Sequence, residues 1–355
     1  MLRWPSWAMA LMLAAILVLG TLTGTAQAAG IAVRLTLRGA PLATTGELVD
    51  GRTFVPVKLL SAELGFTVSD YDPGRVTIAG PNARVVFSIG AGSATVNGHE
   101  VRCDLPFEKD GQLLVPARFF LENMGYRVRW SGGPPCAVDL VPVQLNDLVI
   151  GTVRERLETS TLIVDVQYPR VSGLESKAVQ DAVNAYFAKR INDLLAQGYQ
   201  SEKESVEGGW ATLNPTEVAA NYTVEFNEKG FLDLLFEDYL YTGGAHGMTT
   251  RSGYLVDVKT GKTYETLKDL FKDGTDYISL LSAEVKKQFD VLGLPLLQPF
   301  EQIRPDQGFY IKDGDLVIYT DLYEYTPYAA GFPEFRIPLS SLADVLVSEL
   351  AALCR

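Results

Sequence analysis

A glycine-rich segment around one of the two histidines is the sharpest candidate for chemistry in this sequence. The run Gly243-Gly244-Ala245-His246-Gly247 surrounds the imidazole with glycines, which allow positive φ and a close approach to a ligand. A histidine in such a loop can act as an acid, a base or a pH switch. The competing interpretation is a tight connection in which His246 bonds a backbone carbonyl. We favour it, because a turn explains the glycines without a ligand.

An aromatic segment closer to the C-terminus is the second candidate and suits contact better than catalysis. It contains Tyr323, Glu324, Tyr325 and Tyr328, and tyrosine provides a large contact area at a low cost in conformational entropy. The alternative is a core bulge whose rings turn inward. Glu324 and His246 could also pair as a base and its orienting group, but the sequence does not place these two side chains together.

Motifs for metal binding or nucleophilic catalysis are missing from the sequence. The aspartates at positions 269, 273, 276, 313 and 315 miss the spacing of a calcium-binding EF-hand loop, and Asp-Gly turns and helix N-termini explain them better. The G-x-S-x-G, H-E-x-x-H and Walker A patterns do not occur. We therefore predict no catalytic residue, no metal site and no cofactor.

The elements that must hold these loops begin with a repeat in the N-terminal third. Gly51 opens a β run that ends at Pro56, a helix follows and stops at Gly65, and the same pattern returns from Gly111. Proline suits the start of a helix, and glycine suits its left-handed C-terminal position. One copy has too few apolar residues to bury both faces. The pair is therefore predicted to form one small α+β repeat domain over residues 31–143.

The remaining chain is predicted to be an α+β region of antiparallel sheet with packed helices. Ser172 and Glu175 form a capping-box pattern before a helix whose apolar residues recur at the 3.6-residue period and which is expected to end at Gly198. Two β runs follow at residues 218–226 and 231–241. These elements are expected to support the histidine and tyrosine loops.

The first residues predict export from the cytoplasm. Arg3 supplies a positive charge, residues 8–22 are apolar, and an Ala-Gln-Ala cleavage site ends at Ala28, which together describe a signal peptide over residues 1–28. The apolar run is shorter than the roughly 20 residues of a membrane span; an uncleaved anchor is the alternative. No later run reaches spanning length, so the cleaved chain is expected to be secreted or associated with the cell surface, without a membrane span.

The net charge limits the classes of partner, and the cysteines limit the possible disulfide bonds. The net charge of -12 repels nucleic acid and other polyanions and favours cationic proteins. Three cysteines are present, and export permits a disulfide. Cys103 and Cys136 are the candidate pair, with two buried thiols as the alternative, and Cys354 is left over.

Motifs in the repeat carry a resemblance to a known module. The run Gly-Arg-Thr-Phe-Val-Pro-Val-Lys at residues 51–58, Leu-Gly at 64–65 and Val-Asn-Gly at 96–98 resemble the copper amine oxidase N-terminal-like domain. In amine oxidases this domain is a stalk remote from the catalytic core. The catalytic domain of that family needs three histidines on copper, and this sequence has two. We therefore exclude amine oxidase activity.

Four further motifs carry a second resemblance, to the extracellular domain of RsiV-type anti-sigma factors and to the paired module that precedes the catalytic domain of some peptidoglycan deacetylases. They are Tyr-Thr-Gly-Gly-Ala-His-Gly at 241–247, Asp-Val-Lys-Thr-Gly-Lys at 257–262, Asp-Leu-Phe at 269–271 and Tyr-Ala-Ala-Gly-Phe at 328–332. The resemblance implies an RsiV-like domain over residues 236–355 and the deacetylase-associated companion module over 150–235. It also implies a ligand, because RsiV-type domains bind host-type lysozyme and report it by becoming open to proteolysis.

The resemblance does not extend to the known activities of these families. The segment before the apolar run is expected to be too short for a cytoplasmic sigma-binding domain. The Thr-Phe-Asp-Asp-Gly run and the His-x-x-x-His pair of polysaccharide deacetylases do not occur. We therefore expect neither transmembrane anti-sigma activity nor deacetylation.

The sequence thus predicts an exported cell-envelope protein that binds or senses a ligand without catalysis. A lysozyme-like cationic protein or a cell-wall component is the expected ligand. The expected contact residues are Gly243, Gly244, His246, Tyr323, Glu324, Tyr325 and Tyr328. The alternatives are an envelope glycan hydrolase that uses Glu324 and His246, and a structural or adhesion module of the cell surface.

Overall fold

The described part of the chain has an α+β fold built mainly from antiparallel sheets, as predicted. The computed structural model describes residues 31–72, 74–81, 83–131, 135–210 and 214–354. The predicted signal peptide over residues 1–28 lies outside them. Within the described ranges, every helix is too short or too polar to cross a membrane.

Two sheets and two short helices occupy the N-terminal third. The strands are β1 (Ile31–Leu37), β2 (Ala40–Val49), β3 (Arg52–Pro56), β4 (Thr67–Asp72), β5 (Arg75–Ala79), β6 (Arg84–Ser88), β7 (Ser93–Val96), β8 (His99–Arg102), β9 (Phe107–Lys109), β10 (Gln112–Pro116), β11 (Tyr126–Ser131) and β12 (Ala137–Pro142). The helices are α1 (Val57–Leu64) and α2 (Ala117–Asn123). The sheet orders are β11-β12-β1-β2-β3-β10-β9 and β4-β5-β6-β7-β8.

The two Val-Pro runs that define the predicted repeat pair directly with each other. Strands β3 and β10 are antiparallel neighbours, with Val55 opposite Val115. Each strand leads through a proline into a helix, and Gly65 ends α1 at φ 78°. Buried residues of both sheets and both helices form one hydrophobic cluster. The domain boundary at residues 31–143 stays a prediction.

The second part of the chain contains a six-stranded and a three-stranded sheet. The strands of the first are β13 (Val149–Glu158), β14 (Leu162–Ser172), β15 (Thr216–Glu228), β16 (Phe231–Tyr241), β17 (Met248–Asp257) and β18 (Thr263–Tyr264), which follow one another in the sheet. The second sheet comprises β19 (Phe309–Lys312), β20 (Asp315–Tyr319) and β21 (Glu334–Pro338). The helices are α3 (Lys177–Glu207), α4 (Tyr277–Leu292), α5 (Leu339–Leu342) and α6 (Ser348–Ala351), with 3-10 turns at Leu267–Leu270, Tyr328–Ala330 and Ala352–Cys354.

Helix α3 is longer than its sequence pattern predicted and begins later. It crosses from β14 to the parallel strand β15 and packs on both. The prediction that it ends at Gly198 is wrong: the helix continues to Glu207. A Cβ at Gly198 would lie 2.2 Å from Cγ2 of Val218, so this glycine permits close packing on the sheet. The predicted cap at Ser172 is also wrong, because Ser172 is the last residue of β14.

The true N-cap of α3 gives the first testable prediction. The hydroxyl of Ser176 accepts the N–H of Val179 at 3.3 Å, and loss of such a bond costs about 1 kcal/mol. We expect Ser176→Ala to lower the free energy of unfolding by that amount in urea denaturation. Ser172→Ala is the matched control and should change it little. A larger loss from Ser172→Ala than from Ser176→Ala would contradict the observed cap.

The cysteines are free thiols in the structure. Cys103 follows β8 in the five-stranded sheet, whereas Cys136 precedes β12 in the seven-stranded sheet. Both pack against the common N-terminal core, and burial raises the pKa of the Cys103 thiol to about 11. The Cys103–Cys136 disulfide is not formed here and stays a prediction.

Candidate functional site

Three of the seven predicted contact residues come together at one place on the surface. The Nε2 atom of His246 lies 3.1 Å from the hydroxyl of Tyr323. The ring centroid of Tyr328 is 4.5 Å from that of His246 and 5.6 Å from that of Tyr323. We call His246, Tyr323 and Tyr328 the aromatic cluster. His246 is exposed and Tyr323 is 46% exposed, so the cluster is accessible to a large ligand.

The hydrogen bonds of His246 define the tautomer of its neutral ring. Its Nδ1 atom lies 2.8 Å from the carbonyl oxygen of Gly247, which can only accept, so Nδ1 carries the proton. The Nε2 atom is then an acceptor, and the hydroxyl of Tyr323 donates to it. The expected bond to a backbone carbonyl is therefore present at Nδ1, whereas Nε2 bonds the hydroxyl of Tyr323.

The glycines next to His246 are required by backbone geometry and by close packing. Gly243 and Gly244 have φ of 93° and 113°, values that strongly favour glycine. A Cβ at Gly247 would lie 2.3 Å from the ring of Tyr239. A Cβ at Gly243 would be 3.8 Å from the indole of Trp210, which is 46% exposed. Trp210 was not predicted as a neighbour of this site, because no motif or period in the sequence marks it.

Glu324 has different neighbours from His246. Its carboxylate forms an ion pair with Arg304 at 2.6 Å, accepts the N–H of Asp321 at 2.8 Å and accepts from the amide of Gln307 at 3.2 Å. Only 10% of its side chain is exposed. Through these contacts Glu324 stabilises the turn in which it lies. The geometry therefore does not support the pairing with His246 on which the hydrolase alternative rests.

Tyr325 also turns away from the aromatic cluster and into the core. Its ring packs against Phe289 and Phe300 at centroid distances of 5.8 and 5.2 Å, and its hydroxyl donates to the carbonyl of Gln302. Tyr323, which directly precedes these two inward-facing residues, is exposed and has a φ of 64°. A positive φ is unfavourable for a tyrosine and often marks a functional position. The strained turn presents Tyr323 while Glu324 and Tyr325 anchor it.

Carboxylates outnumber cations beside residues 323–328, which we call the tyrosine loop. Arg304 makes ion pairs with Asp306 at 3.1 Å, with Asp321 at 2.8 Å and with Glu324 at 2.6 Å. One guanidinium thus serves three carboxylates, and the group keeps a net negative charge. Asp306 is the most open of the three, with 79% of its side chain exposed. This charge favours an approaching cation.

A second candidate site is a cleft of about 1090 Å³ between the N-terminal sheets and the six-stranded sheet. The half-exposed Trp130 lies in its lining together with four cations that already have carboxylate partners: Arg52, Arg118, Arg127 and Lys312. Arg127 lies 3.2 Å from Glu228, and Lys312 lies 2.8 Å from Glu225. Because these carboxylates neutralise the cations, the cleft does not select for an anionic ligand.

Comparison with known proteins places three family matches along the chain. The copper amine oxidase N-terminal domain matches residues 38–135. The family described as deacetylase PdaC matches residues 155–249, and the protein family of unknown function DUF3298 matches residues 268–340. Both resemblances read from the sequence motifs are therefore confirmed.

Sequence similarity to one curated relative shows the family to which this chain belongs. The anti-sigma-V factor RsiV of Bacillus subtilis (strain 168) is 30% identical over 209 residues, which cover 56% of this chain and 69% of RsiV. This chain belongs to the RsiV family. The alignment with RsiV covers just over half of the chain.

Other proteins are similar to part of this chain. The peptidoglycan-N-acetylmuramic acid deacetylase PdaC of Bacillus subtilis is 27% identical over 166 residues, 44% of this chain and 35% of that enzyme. A DUF3298-family structure from Bacteroides fragilis has 19% identity and a TM-score of 0.43, covering 59% of this chain and 98% of its own. One from Pseudomonas aeruginosa has 17% identity and a TM-score of 0.41, covering 59% and 96%.

The aromatic cluster of this RsiV-family chain spans two of the matched segments. His246 falls within residues 155–249, whereas Tyr323 and Tyr328 fall within residues 268–340. The cluster is thus assembled where these two segments meet in space. Among the described residues, no group of His, Cys, Asp and Glu side chains is arranged to hold a metal ion.

Proposed function

We propose that this chain is an exported binding or sensing protein of the cell envelope, without catalytic activity, whose aromatic cluster contacts a cationic lysozyme-like protein. The observation that carries the proposal is the exposed contact of His246 with Tyr323, made between residues far apart in the sequence. Membership of the RsiV family supports a non-catalytic role. The ligand itself is inferred from the resemblance and from charge.

The composition of the cluster suits a protein ligand. Tyrosine side chains are frequent in the energetic centre of protein interfaces because they combine apolar area with a polar hydroxyl. Tyr323 is presented by a backbone that the interior holds in place, so little ordering remains to be done on binding. The net charge of -12 and the carboxylates around Arg304 favour a cationic partner and speed its approach at low salt.

Substitution of the cluster tyrosines provides the second testable prediction. We expect Tyr323→Ala and Tyr328→Ala each to weaken binding of hen-type lysozyme by about tenfold or more, which corresponds to about 1.4 kcal/mol. Tyr199→Ala is a matched control because Tyr199 is 48% exposed on α3. Titrations at low and high salt measure the effect. Failure of the unsubstituted chain to bind at either salt concentration would contradict the proposal.

An activity assay separates this proposal from the hydrolase alternative. Glu324 is bound to Arg304 and Gln307, and we expect the purified chain to leave peptidoglycan unchanged. Turnover of peptidoglycan that disappears in a His246→Ala variant would establish catalysis instead.

A further inference from the structure

An exposed aliphatic segment lies at the C-terminal end of helix α4 and has no role in the core. Gly293 ends the helix at φ 60°, and the sequence around it reads Val-Leu-Gly-Leu-Pro-Leu-Leu over residues 291–297. We call residues 291–297 the aliphatic turn. The exposed fractions of its larger side chains are 85% for Val291, 50% for Leu292, 44% for Leu296 and 57% for Leu297. Contiguous apolar exposure of this kind is unusual away from interaction sites.

Two hydrogen bonds place the aliphatic turn beside the tyrosine loop. The N–H of Leu297 donates to the carbonyl of Tyr325 at 2.7 Å. The side-chain amide of Gln298 donates to the carbonyl of Glu324 at 2.8 Å. Because adjacent Cα atoms are about 3.8 Å apart and Tyr325 is two residues from Tyr323, the backbone N of Leu297 lies within roughly 13 Å of the Cα of Tyr323. The aliphatic turn and the aromatic cluster therefore border one another on the surface.

The carboxylates around Arg304 belong to the same region. Glu324, which receives the bond from Gln298, is one of the three partners of Arg304. Asp306 and Asp321 are the other two, and both are accessible to solvent. An apolar centre beside a charged rim is the usual anatomy of a protein interface. Here the rim is acidic, which selects a cationic partner.

We propose that the aliphatic turn is the second half of the docking surface and contacts the same cationic folded protein as the aromatic cluster. This inference rests on the proposed function and adds a separate set of contacts to it. The turn contributes apolar area next to the cluster, and the carboxylates of Asp306 and Asp321 set the charge of the partner. A lipid surface fits less well, because these carboxylates would be repelled by anionic headgroups.

A double substitution in the turn tests this assignment on the full chain. We expect Leu296→Ser combined with Leu297→Ser to weaken binding of hen-type lysozyme tenfold or more. Leu59→Ser is the matched control, because Leu59 is a 49% exposed leucine on α1 of the N-terminal part. The urea midpoints of both variants are expected to match the unsubstituted chain. Val291→Ser, at the most exposed position, supplies a further variant in case the double substitution perturbs folding.

The outcomes distinguish this inference from the proposed function. If Tyr323→Ala weakens lysozyme binding and the turn variants bind as tightly as the unsubstituted chain, the aliphatic turn is not part of the surface and only this inference fails. If the unsubstituted chain does not bind lysozyme, both fail. If sedimentation shows a dimer that the turn variants lose, the occupant of the turn is a second copy of this chain and not a cationic protein. If the chain sediments with phosphatidylglycerol vesicles only when the turn is intact, the occupant is a lipid surface.

Discussion

Replacement of Asp233 by alanine is expected to lower the free energy of unfolding by about 2–4 kcal/mol, the largest loss we expect from one side chain. Asp233 lies in strand β16 and is fully buried. Its Oδ2 atom accepts the N–H of Ile311 in β19 at 2.7 Å. This bond joins the three-stranded sheet to the six-stranded sheet. Alanine would leave the N–H of Ile311 buried without an acceptor and open a cavity beside it.

The ionisation of Asp233 gives the same position a defined pH dependence. Burial raises the pKa of this carboxyl well above its usual range, although the N–H of Ile311 favours the charged form. The folded chain therefore keeps the proton at pH values where the unfolded chain has lost it. The contribution of Asp233 to stability falls as pH rises above about 4, the range in which an unfolded aspartate ionises.

An asparagine at position 233 separates the charge from the shape of this side chain. Asp233→Asn keeps an acceptor for Ile311 and cannot ionise, so its stability relative to the unsubstituted chain should increase between pH 4 and pH 7. Urea denaturation at both pH values measures the difference. Asp273→Asn, at an exposed position, controls for the loss of one surface carboxylate. A difference for Asp233→Asn that does not change with pH would show that burial does not hold the proton.

The buried face of helix α3 agrees with the 3.6-residue period of its apolar residues in the sequence. Helix α3 buries Phe187 and Ile191, which lie on the apolar stripe read from the sequence. The ends of this helix were not predicted, because Ser172 satisfies a capping pattern while sheet pairing continues through it, and Ser176 caps instead. Gly198 resembles a stop signal, yet tertiary packing on Val218 is what requires a glycine there.

The sequence indicated the residue types at the candidate site, but it did not indicate which of these residues come together in space. His246 and Tyr323 are 77 residues apart, and no local pattern connects their loops. Glu324 and Tyr325 share the tyrosine loop but point inward, because the positive φ of Tyr323 redirects the chain and Arg304 holds the carboxylate. Such orientations depend on residues distant in sequence.

The aliphatic turn shows the opposite failure, in which apolar residues are not core residues. A run of leucine and valine is normally evidence of burial, and Val291 and Leu297 could have been assigned to the end of an amphipathic helix. Val291 lies in the last turn of α4, on the face that is turned away from the core, and Gly293 ends the helix before Leu297. Exposure of the turn therefore follows from the orientation of the last helical turn and from the position at which the helix ends.

The second large effect is expected at His99, where the N-terminal sheets meet the six-stranded sheet. The imidazole lies flat on the ring of Tyr222, with centroids 4.0 Å apart and an angle of 3° between the planes. Its Nε2 atom lies 2.7 Å from the amide oxygen of Asn221 and donates to it. His99→Ala would remove the stacking and leave Asn221 without this donor. We expect it to lower the free energy of unfolding by about 2 kcal/mol.

The same contact is expected to weaken in acid. Burial lowers the pKa of His99, the bond to Asn221 opposes that shift, Arg154 adds to it, and Glu100 opposes it. Because the folded chain binds a proton less readily than the unfolded chain, the contribution of His99 is complete above the unfolded pKa of about 6.5. It is lost as pH falls through the lower folded pKa. Acid therefore loosens the attachment of the N-terminal sheets.

Substitution by glutamine isolates this titration from the other groups at the boundary. Burial raises the pKa values of Glu122 and Glu228, which also lie near the junction, so the stability of the unsubstituted chain alone does not report His99. His99→Gln retains a donor for Asn221 and cannot become charged. Its stability relative to the unsubstituted chain is expected to increase from pH 8 to pH 5 in urea denaturation. His246→Ala removes the exposed histidine and is the matched control, which should keep the pH dependence of the unsubstituted chain. If His246→Ala changed the pH dependence and His99→Gln did not, the acid sensitivity would belong to the aromatic cluster and not to the boundary between the sheets.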